Sequence, residues 1–104
     1  MADSKQTLTP DEIADAALTD WRQDGETLTA RFATGDFATG LDLVGRIGAS
    51  AEEANHHPDL TLTYPEVTVT LSSHDVGGIT SRDLALAHRI SEHAAALDVA
   101  ATSA

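Results

Sequence analysis

The residues of this chain whose types and spacing could move protons are three histidines and one glutamate. His56 and His57 are adjacent, Glu52 stands four residues before His56, and His74 follows in a separate segment. Imidazoles ordinarily titrate near pH ~6.5, so a cluster of them suits general acid–base catalysis at neutral pH. Because residues four apart share a face of a helix, we expect the Glu52 carboxylate to orient His56 through a hydrogen bond.

A predicted β-hairpin would position two of these histidines. Apolar residues alternate with polar ones over 60–64 and again over 67–71, which is the pattern of two half-buried strands. The apolar side chains of both strands must share one face, and a turn centred between the two stretches then pairs Leu60 with Leu71. The same register predicts that His57 lies directly opposite His74. With His56 at the adjoining helix end, three imidazoles would converge on one polar patch.

Two other interpretations of the histidines stay open. A single histidine pair across a hairpin is usually part of an ordinary surface, although the convergence of three argues for a site. Two imidazoles and Glu52 could also hold zinc. Adjacent histidines at a helix end rarely point at one ion, and the chain has no cysteine, so we expect no metal. No other cofactor is expected. His88 and His93 lie in the last predicted helix and are interpreted as helix residues outside the site.

The patterning of the chain predicts three helices and four strands. A capping box at Thr9-Pro10-Asp11-Glu12 begins a helix that should end near Thr19, and a second helix should span about 36–55. A third helix begins at Thr80-Ser81-Arg82-Asp83, which is also similar to a capping box. Strands are predicted over 20–23 and 26–33, before the two strands of the hairpin.

The order of these elements, α-β-β-α-β-β-α, favours an α+β fold. Short connections predict an antiparallel sheet with helices packed on one face. The length predicts a single domain, 1–104, whose ends at 1–8 and 99–104 should be flexible. Only 22 residues are Leu, Val, Ile or Phe, so the core is small and self-association would bury more apolar surface.

The charge of the chain excludes several classes of partner. Six basic residues against 17 acidic ones give a net charge of −11, which repels phosphate backbones and anionic lipid headgroups. We therefore expect neither nucleic acid nor membranes as partners. The segment Met1 to Pro10 lacks the features of a signal peptide, and no apolar run approaches the ~18 residues of a membrane span. The expected location is the cytoplasm.

The residues around the histidines resemble a known family, the pterin-4a-carbinolamine dehydratases. The similar residues are Glu52-Glu53-Ala54-Asn55-His56-His57-Pro58, Tyr64, Leu71-Ser72-Ser73-His74-Asp75, Gly78, Arg82 and Asp83. The likeness continues upstream through Leu8 to Ile13, Trp21 and 32–37, so it covers nearly the whole chain. The His-His-Pro segment followed by a separate histidine is fairly specific to this family.

The resemblance implies a fold, an assembly and a reaction. The fold would be α+β with a four-stranded antiparallel sheet and helices on one side. The assembly would be a homodimer joined edge to edge by its sheets, or a homotetramer formed through helices. The reaction would be that of a lyase, in which 4a-hydroxytetrahydrobiopterin loses water to give quinonoid dihydropterin. This step recycles the tetrahydrobiopterin used by aromatic amino acid hydroxylases, so the resemblance also implies a functional link to such an enzyme.

The resemblance also assigns roles to individual residues. His56, His57 and His74 match the active-site histidines, and Glu52 matches the acidic residue before them. The pterin would be held by His56-His57-Pro58, by Ser73-His74-Asp75-Val76, and by Arg82 and Asp83. We favour His56 and His74 for the proton transfers and His57 for binding or orienting the substrate.

The chain departs from some relatives at two positions, and a second function stays open. Asn55 stands where some relatives have Asp, and Leu60 stands where some have an aromatic residue. The loss of a carboxylate at Asn55 would alter the surroundings of the histidines. The alternative function is a non-catalytic module for protein interaction or dimerisation on the same fold, in which the histidines would be remnants.

Overall fold

The computed structural model describes residues 5–102 of the chain. It has three helices, which are α1 (Pro10–Asp15), α2 (Phe37–Ala54) and α3 (Ser81–Ala96). Its strands are β1 (Arg22–Asp24), β2 (Thr27–Ala33), β3 (Asp59–Leu62), β4 (Glu66–Leu71) and β5 (Ala100–Ala101). The predicted α+β class and the predicted order of elements are confirmed, with one short strand added at the end.

The strands form one antiparallel sheet in the order β1-β2-β4-β3, and β5 pairs with β2 beside β1. The fifth strand corrects the prediction of four strands and of a loose tail from 99 onward. The tail is held because the Thr102 amide donates to the Arg31 carbonyl over 2.7 Å. At the other end, the Leu8 amide donates to the Ile79 carbonyl over 2.8 Å. The rest of the two predicted flexible ends, residues 1–4 and 103–104, lies outside the described residues.

The helices begin where their capping residues stand. Thr9 and Glu12 form the predicted capping box of α1, and Thr80 and Asp83 form that of α3. Asp36 caps α2 by accepting a hydrogen bond from the Thr39 amide, and this bond lowers the pKa of the Asp36 carboxyl. Helix α1 ends at Asp15, earlier than the predicted Thr19, because Ala17 takes a left-handed conformation with φ 53°.

The core lies between one face of the sheet and the helices α2 and α3. Strand β4 alternates strictly, with Val67, Val69 and Leu71 fully buried and the residues between them half-buried. The buried side chains of β2 lie beside them, and Leu43, Ile47, Leu86 and Ile90 from the helices complete the same cluster. Among the described residues, no helix combines the length and the apolar character needed to span a bilayer.

The β3–β4 hairpin has a different register from the predicted one. Leu60 pairs with Val69, not with Leu71, and Leu62 pairs with Val67. The turn is closed one residue after β3, where the Thr63 amide donates to the Glu66 carbonyl over 3.0 Å. The observed pairing is shifted by two residues from the predicted one. An even shift leaves each apolar side chain on its predicted face. His57 and His74 both lie beyond the end of this ladder, and the prediction that they face each other across it is wrong.

A partly buried hydrogen bond joins the C-terminal parts of the two long helices. Ser50 Oγ of α2 lies 2.6 Å from His93 Nε2 of α3, and Ser50 is buried. Burial lowers the pKa of His93, and the neighbouring positive charges of Arg89 and Arg46 lower it further, against the opposing effect of Glu92. The folded protein therefore favours the neutral imidazole more strongly than the unfolded chain does.

This difference predicts a pH-dependent contribution to stability. A histidine whose pKa is lowered by folding stabilises the protein above its unfolded pKa of ~6.5, and that contribution is lost as the pH falls through the folded value. We expect His93→Gln to weaken the dependence of the unfolding free energy on pH below about 6.5. Urea unfolding at several pH values measures this pH dependence of the unfolding free energy. His88→Gln, at an exposed position of the same helix, serves as the control. Equal pH dependence in wild type and His93→Gln would contradict the assignment.

Candidate active site

The end of α2 directs His56 and His57 out of the helix. Asn55 closes the helix in the left-handed conformation, with φ 51° and ψ 42°, which Asn tolerates better than most residues. The His56 amide then donates back to the Ala51 carbonyl over 3.1 Å, as in a Schellman-type helix end. Both histidines thus lie in the short connection between α2 and β3, where Pro58 prevents the helix from continuing.

The His56 ring contacts a carboxylate that is closed off from solvent. His56 Nε2 lies 2.5 Å from Asp83 Oδ1, and the Asp83 side chain is 0% exposed while that of His56 is 10% exposed. The other oxygen, Asp83 Oδ2, accepts hydrogen bonds from Ser73 Oγ over 2.8 Å and from the Thr80 amide over 2.9 Å. The carboxylate therefore has three partners, from the end of α2, the end of β4 and the start of α3.

His74 is presented by a tight turn that follows β4. The Ser73 and Gly78 backbones pair with each other, and the Ser73 amide donates to the Gly78 carbonyl over 2.8 Å. Gly77 supplies the left-handed residue of this turn, with φ 66°. The His74 side chain is exposed, and it stands next to Ser73, whose hydroxyl is buried against Asp83. The histidine-bearing segments of α2 and β4 therefore meet at Asp83.

Glu52 contacts a different histidine from the predicted one. Its carboxylate forms a short hydrogen bond with His57 Nε2, and not with His56, whose Nε2 contacts Asp83. The left-handed Asn55 breaks the helical spacing before the histidines, so the rule for residues four apart does not apply beyond it. His57 and Glu52 are 56% and 77% exposed at their side chains, in contrast with the enclosed His56.

An ion pair ties the turn that carries His74 to the start of α3. Arg82 donates from Nη2 to Asp75 Oδ1 over 2.8 Å, and this bond lowers the pKa of the Asp75 carboxyl. Arg82 also donates from Nε to Thr80 Oγ1 over 3.3 Å. Val76, the last residue of the predicted binding segment, is half-buried in the same turn.

The structure thus brings several predicted residues into direct contact. His56 contacts Asp83, Asp83 contacts Ser73, Arg82 contacts Asp75, and His57 contacts Glu52. Within residues 5–102, no group of three or more His, Cys, Asp and Glu side chains is arranged to hold a metal ion. Thr80 is the residue that the sequence analysis did not include in the site. Its role was nevertheless encoded in the capping box, which directs the Asp83 carboxylate back to the Thr80 amide.

Comparison with known proteins agrees with this architecture. The sequence matches the family described as pterin 4 alpha carbinolamine dehydratase over residues 6–93. A protein of Mycobacterium bovis (strain BCG / Pasteur 1173P2), provisionally named pterin-4-alpha-carbinolamine dehydratase, is 45% identical over 83 residues, which cover 77% of this chain and 88% of the relative. A protein of Halobacterium salinarum (strain ATCC 29341 / DSM 671 / R1) with the same provisional name is 38% identical over 82 residues, 79% of this chain and 90% of the relative.

Two solved structures share the fold. A protein of Brucella melitensis described as a transcriptional coactivator/pterin dehydratase superposes with a TM-score of 0.81 at 31% identity, covering 86% of this chain and 99% of that one. A pterin dehydratase-like protein described as a RuBisCO assembly factor in the alpha-carboxysome superposes with a TM-score of 0.62 at 28% identity, covering 72% and 89%. The fold and the family match together define an α+β domain of the pterin dehydratase type. The chain belongs to the pterin 4 alpha carbinolamine dehydratase family.

The contacts of Asp83 predict a large effect on stability. Asp83→Ala would leave the Thr80 amide, the Ser73 hydroxyl and His56 Nε2 without their acceptor, and each unsatisfied buried group costs about 1–3 kcal/mol. We expect the unfolding free energy to fall by roughly 3 kcal/mol or more, as measured by urea unfolding. Asp75→Ala removes a partly exposed carboxylate from the neighbouring turn and should destabilise the protein less. Equal losses in the two variants would contradict the proposed importance of the buried network.

Proposed function

We propose that this protein dehydrates 4a-hydroxytetrahydrobiopterin, or a closely related 4a-hydroxytetrahydropterin, to quinonoid dihydropterin and water. The observation that supports the proposal best is the contact of His56 with the buried Asp83, in a member of the pterin 4 alpha carbinolamine dehydratase family. A histidine held in this way has a fixed orientation, which a proton-transfer catalyst requires. The activity would make the protein a lyase that serves tetrahydrobiopterin recycling.

The reaction needs one acid and one base. The N5–H bond and the C4a–O bond break, the N5–H electron pair forms the N5–C4a double bond, and the oxygen leaves with its own electron pair. Hydroxide is a poor leaving group, so an imidazolium donates a proton to the oxygen and water departs. A neutral imidazole accepts the N5 proton. His56 and His74 carry out these transfers, and solvent restores their original protonation states.

The remaining site residues bind or position the pterin. His57 is exposed and is oriented by Glu52, which suits a group that contacts a substrate from the surface. Pro58 and the turn Ser73-His74-Asp75-Val76 border the site, and Arg82 holds Asp75 in that turn. The side chains of Ser73 and Asp83 are fully buried. Ser73 therefore contributes to binding through its backbone, and Asp83 acts through His56.

Histidine replacement tests the proposal. We expect His56→Ala and His74→Ala each to lower kcat for a synthetic 4a-hydroxytetrahydropterin by about 10²–10⁴-fold, the usual value of one general acid or base. His57→Ala should raise KM more than it lowers kcat. His88→Ala, an exposed histidine of α3, should leave both constants unchanged. Stopped-flow absorbance of the dehydration, with the uncatalysed rate subtracted, measures them.

Two outcomes of this assay would contradict the proposed mechanism. Unchanged rates in the three site variants would show that the histidines do not carry the reaction. A loss of activity on treatment with a chelator, restored by added metal, would support the metal-dependent alternative, because the proposed mechanism runs through imidazoles alone. Circular dichroism of each variant separates a lost function from a lost fold.

The second candidate function is a non-catalytic interaction module. It is favoured by the two superposable structures, one described as a transcriptional coactivator/pterin dehydratase and the other as a RuBisCO assembly factor. The two functions differ in a single measurement on the wild-type protein. A dehydratase turns over many equivalents of the carbinolamine, whereas a scaffold leaves its spontaneous dehydration rate unchanged.

We also propose that the protein forms a homodimer or homotetramer in the cytoplasm, with a functional link to an aromatic amino acid hydroxylase. Phe37 and Leu41 lie one turn apart on α2 and are 47% and 56% exposed, so together they form an apolar patch that a second copy of the chain would cover. The strongly acidic surface disfavours nucleic acids and membranes as partners.

A charge placed on the exposed apolar surface of Phe37 and Leu41 tests whether this surface joins copies of the protein. We expect Leu41→Glu to lower the mass measured by sedimentation equilibrium to that of a smaller assembly or a monomer, because a carboxylate is costly to bury in an apolar interface. Ala85→Glu introduces the same charge at an exposed position of α3 and should leave the mass unchanged. A wild-type protein that is already monomeric at micromolar concentration would contradict the proposal.

A further inference from the structure

We propose that Ser73 and Thr80 are positioning residues which, through Asp83, fix the tautomer of His56 so that Nδ1 is the nitrogen that takes the proton from the pterin. The inference deepens the proposed dehydratase function and rests on it. His56 is then the base, acting at Nδ1, and His74 is consequently the acid.

The hydrogen bonds around Asp83 have a fixed direction. A backbone amide can only donate, so Thr80 N–H donates to Asp83 Oδ2. The Ser73 hydroxyl donates to the same oxygen over 2.8 Å. Ser73 Oγ also lies 2.8 Å from Thr80 Oγ1, and because the Ser73 proton is already used, the Thr80 hydroxyl donates to Ser73. These donors hold the carboxylate in one orientation, with Oδ1 toward His56.

The contact with Asp83 determines which nitrogen of His56 carries the proton. An ionised carboxylate has no proton to donate, so the contact of 2.5 Å between Asp83 Oδ1 and His56 Nε2 requires the ring to donate. In the neutral imidazole only one nitrogen carries a proton, so Nδ1 keeps its lone pair. Ser73, Thr80 and Asp83 are all 0% exposed, so solvent water does not compete for these bonds.

His56 with a free Nδ1 lone pair can act as the base of the dehydration. The pterin N5 proton moves to His56 Nδ1, and the N5–H electron pair forms the N5–C4a double bond. The C4a–O bond breaks, and the oxygen takes a proton from the His74 imidazolium and leaves as water. His56 becomes the imidazolium, whose positive charge lies against the Asp83 carboxylate. The carboxylate therefore stabilises the charge that develops on the base during the step.

Asp83→Asn provides the sharpest test, because the surrounding donors dictate the orientation of the new amide. The Thr80 amide can only donate and requires an acceptor at the Oδ2 position, so the amide oxygen must lie there. The amide NH2 then faces His56 Nε2, which has to accept a hydrogen bond. The proton of the ring moves to Nδ1, and the lone pair that should receive the N5 proton is lost. In Ser-His-Asp enzymes the same replacement lowers kcat about 10⁴-fold through the wrong tautomer.

The experiment measures the tautomer of His56 and the rate of dehydration in the same full-length proteins. Long-range 1H–15N correlation spectra of 15N-histidine-labelled protein at about pH 8.5, where imidazoles are ordinarily neutral, distinguish Nε2–H from Nδ1–H rings. We expect His56 to be Nε2–H in wild type and Nδ1–H in Asp83→Asn, with kcat lowered about 10²–10⁴-fold. Asp59→Asn, an exposed carboxylate three residues after His56, should change neither the tautomer nor kcat.

A second pair of variants keeps the test available if Asp83→Asn does not fold. Ser73→Ala removes one of the two donors that hold Asp83 Oδ2, and Ser72→Ala removes a neighbouring hydroxyl that forms no side-chain hydrogen bond among residues 5–102. We expect Ser73→Ala to lower kcat about tenfold, with a smaller change in KM, and Ser72→Ala to leave both unchanged. Ser73→Thr, which restores the hydroxyl, should recover more of the rate than Ser73→Val, which has the same shape without it.

The possible failures of the two proposals are distinguishable. An Nδ1–H ring in wild-type His56, or a full rate in an Asp83→Asn protein with the altered tautomer, would overturn the positioning inference and leave the dehydratase proposal intact. A wild-type protein with the expected Nε2–H ring but without turnover would overturn the dehydratase proposal, and the assignment of the base with it. The expected tautomers together with the expected loss of rate support both.

Discussion

The site depends on one buried charge, the carboxylate of Asp83. A charge that is fully removed from water is tolerated only when its hydrogen-bonding capacity is satisfied, because an uncompensated buried carboxylate costs several kcal/mol, of order 3–5. Its three partners come from three segments that are distant in sequence: the end of α2, the turn after β4 and the first turn of α3. The hydrogen bonds that satisfy the buried carboxylate stabilise the fold and also bring the histidine-bearing segments together.

The three histidines of the site have different surroundings, and the difference suits different roles. His56 is enclosed and held by a carboxylate, whereas His57 and His74 are exposed. An enclosed imidazole with a fixed partner has one orientation, which favours proton transfer over binding alone. Two superposable proteins are described differently, one as a coactivator/pterin dehydratase and the other as a RuBisCO assembly factor. The fold alone therefore does not specify the function, and the surroundings of each histidine have to be considered.

The sequence predicted those features that depend on local chemistry. The capping box at Thr80 and Asp83 correctly marked the start of α3, and the alternation of apolar residues identified the buried faces of β2 and β4. The predicted register of the hairpin was wrong by two residues, because such a shift leaves every side chain on the same face and alternation cannot detect it. The partner of Glu52 was wrong because a single left-handed residue, Asn55, ends the helical geometry on which the prediction relied.

The central claim is that the pterin binds against the histidines organised by Asp83. A crystal structure of the protein with a bound, non-reacting tetrahydropterin analogue tests it most directly. The account predicts the pterin ring beside His56, His57 and His74, with N5 within about 3.2 Å of His56 Nδ1, or joined to it by one water. A pterin bound instead in the cavity of about 320 Å³ lined by Trp21, Arg22 and Thr29, with the histidines unoccupied, would contradict it.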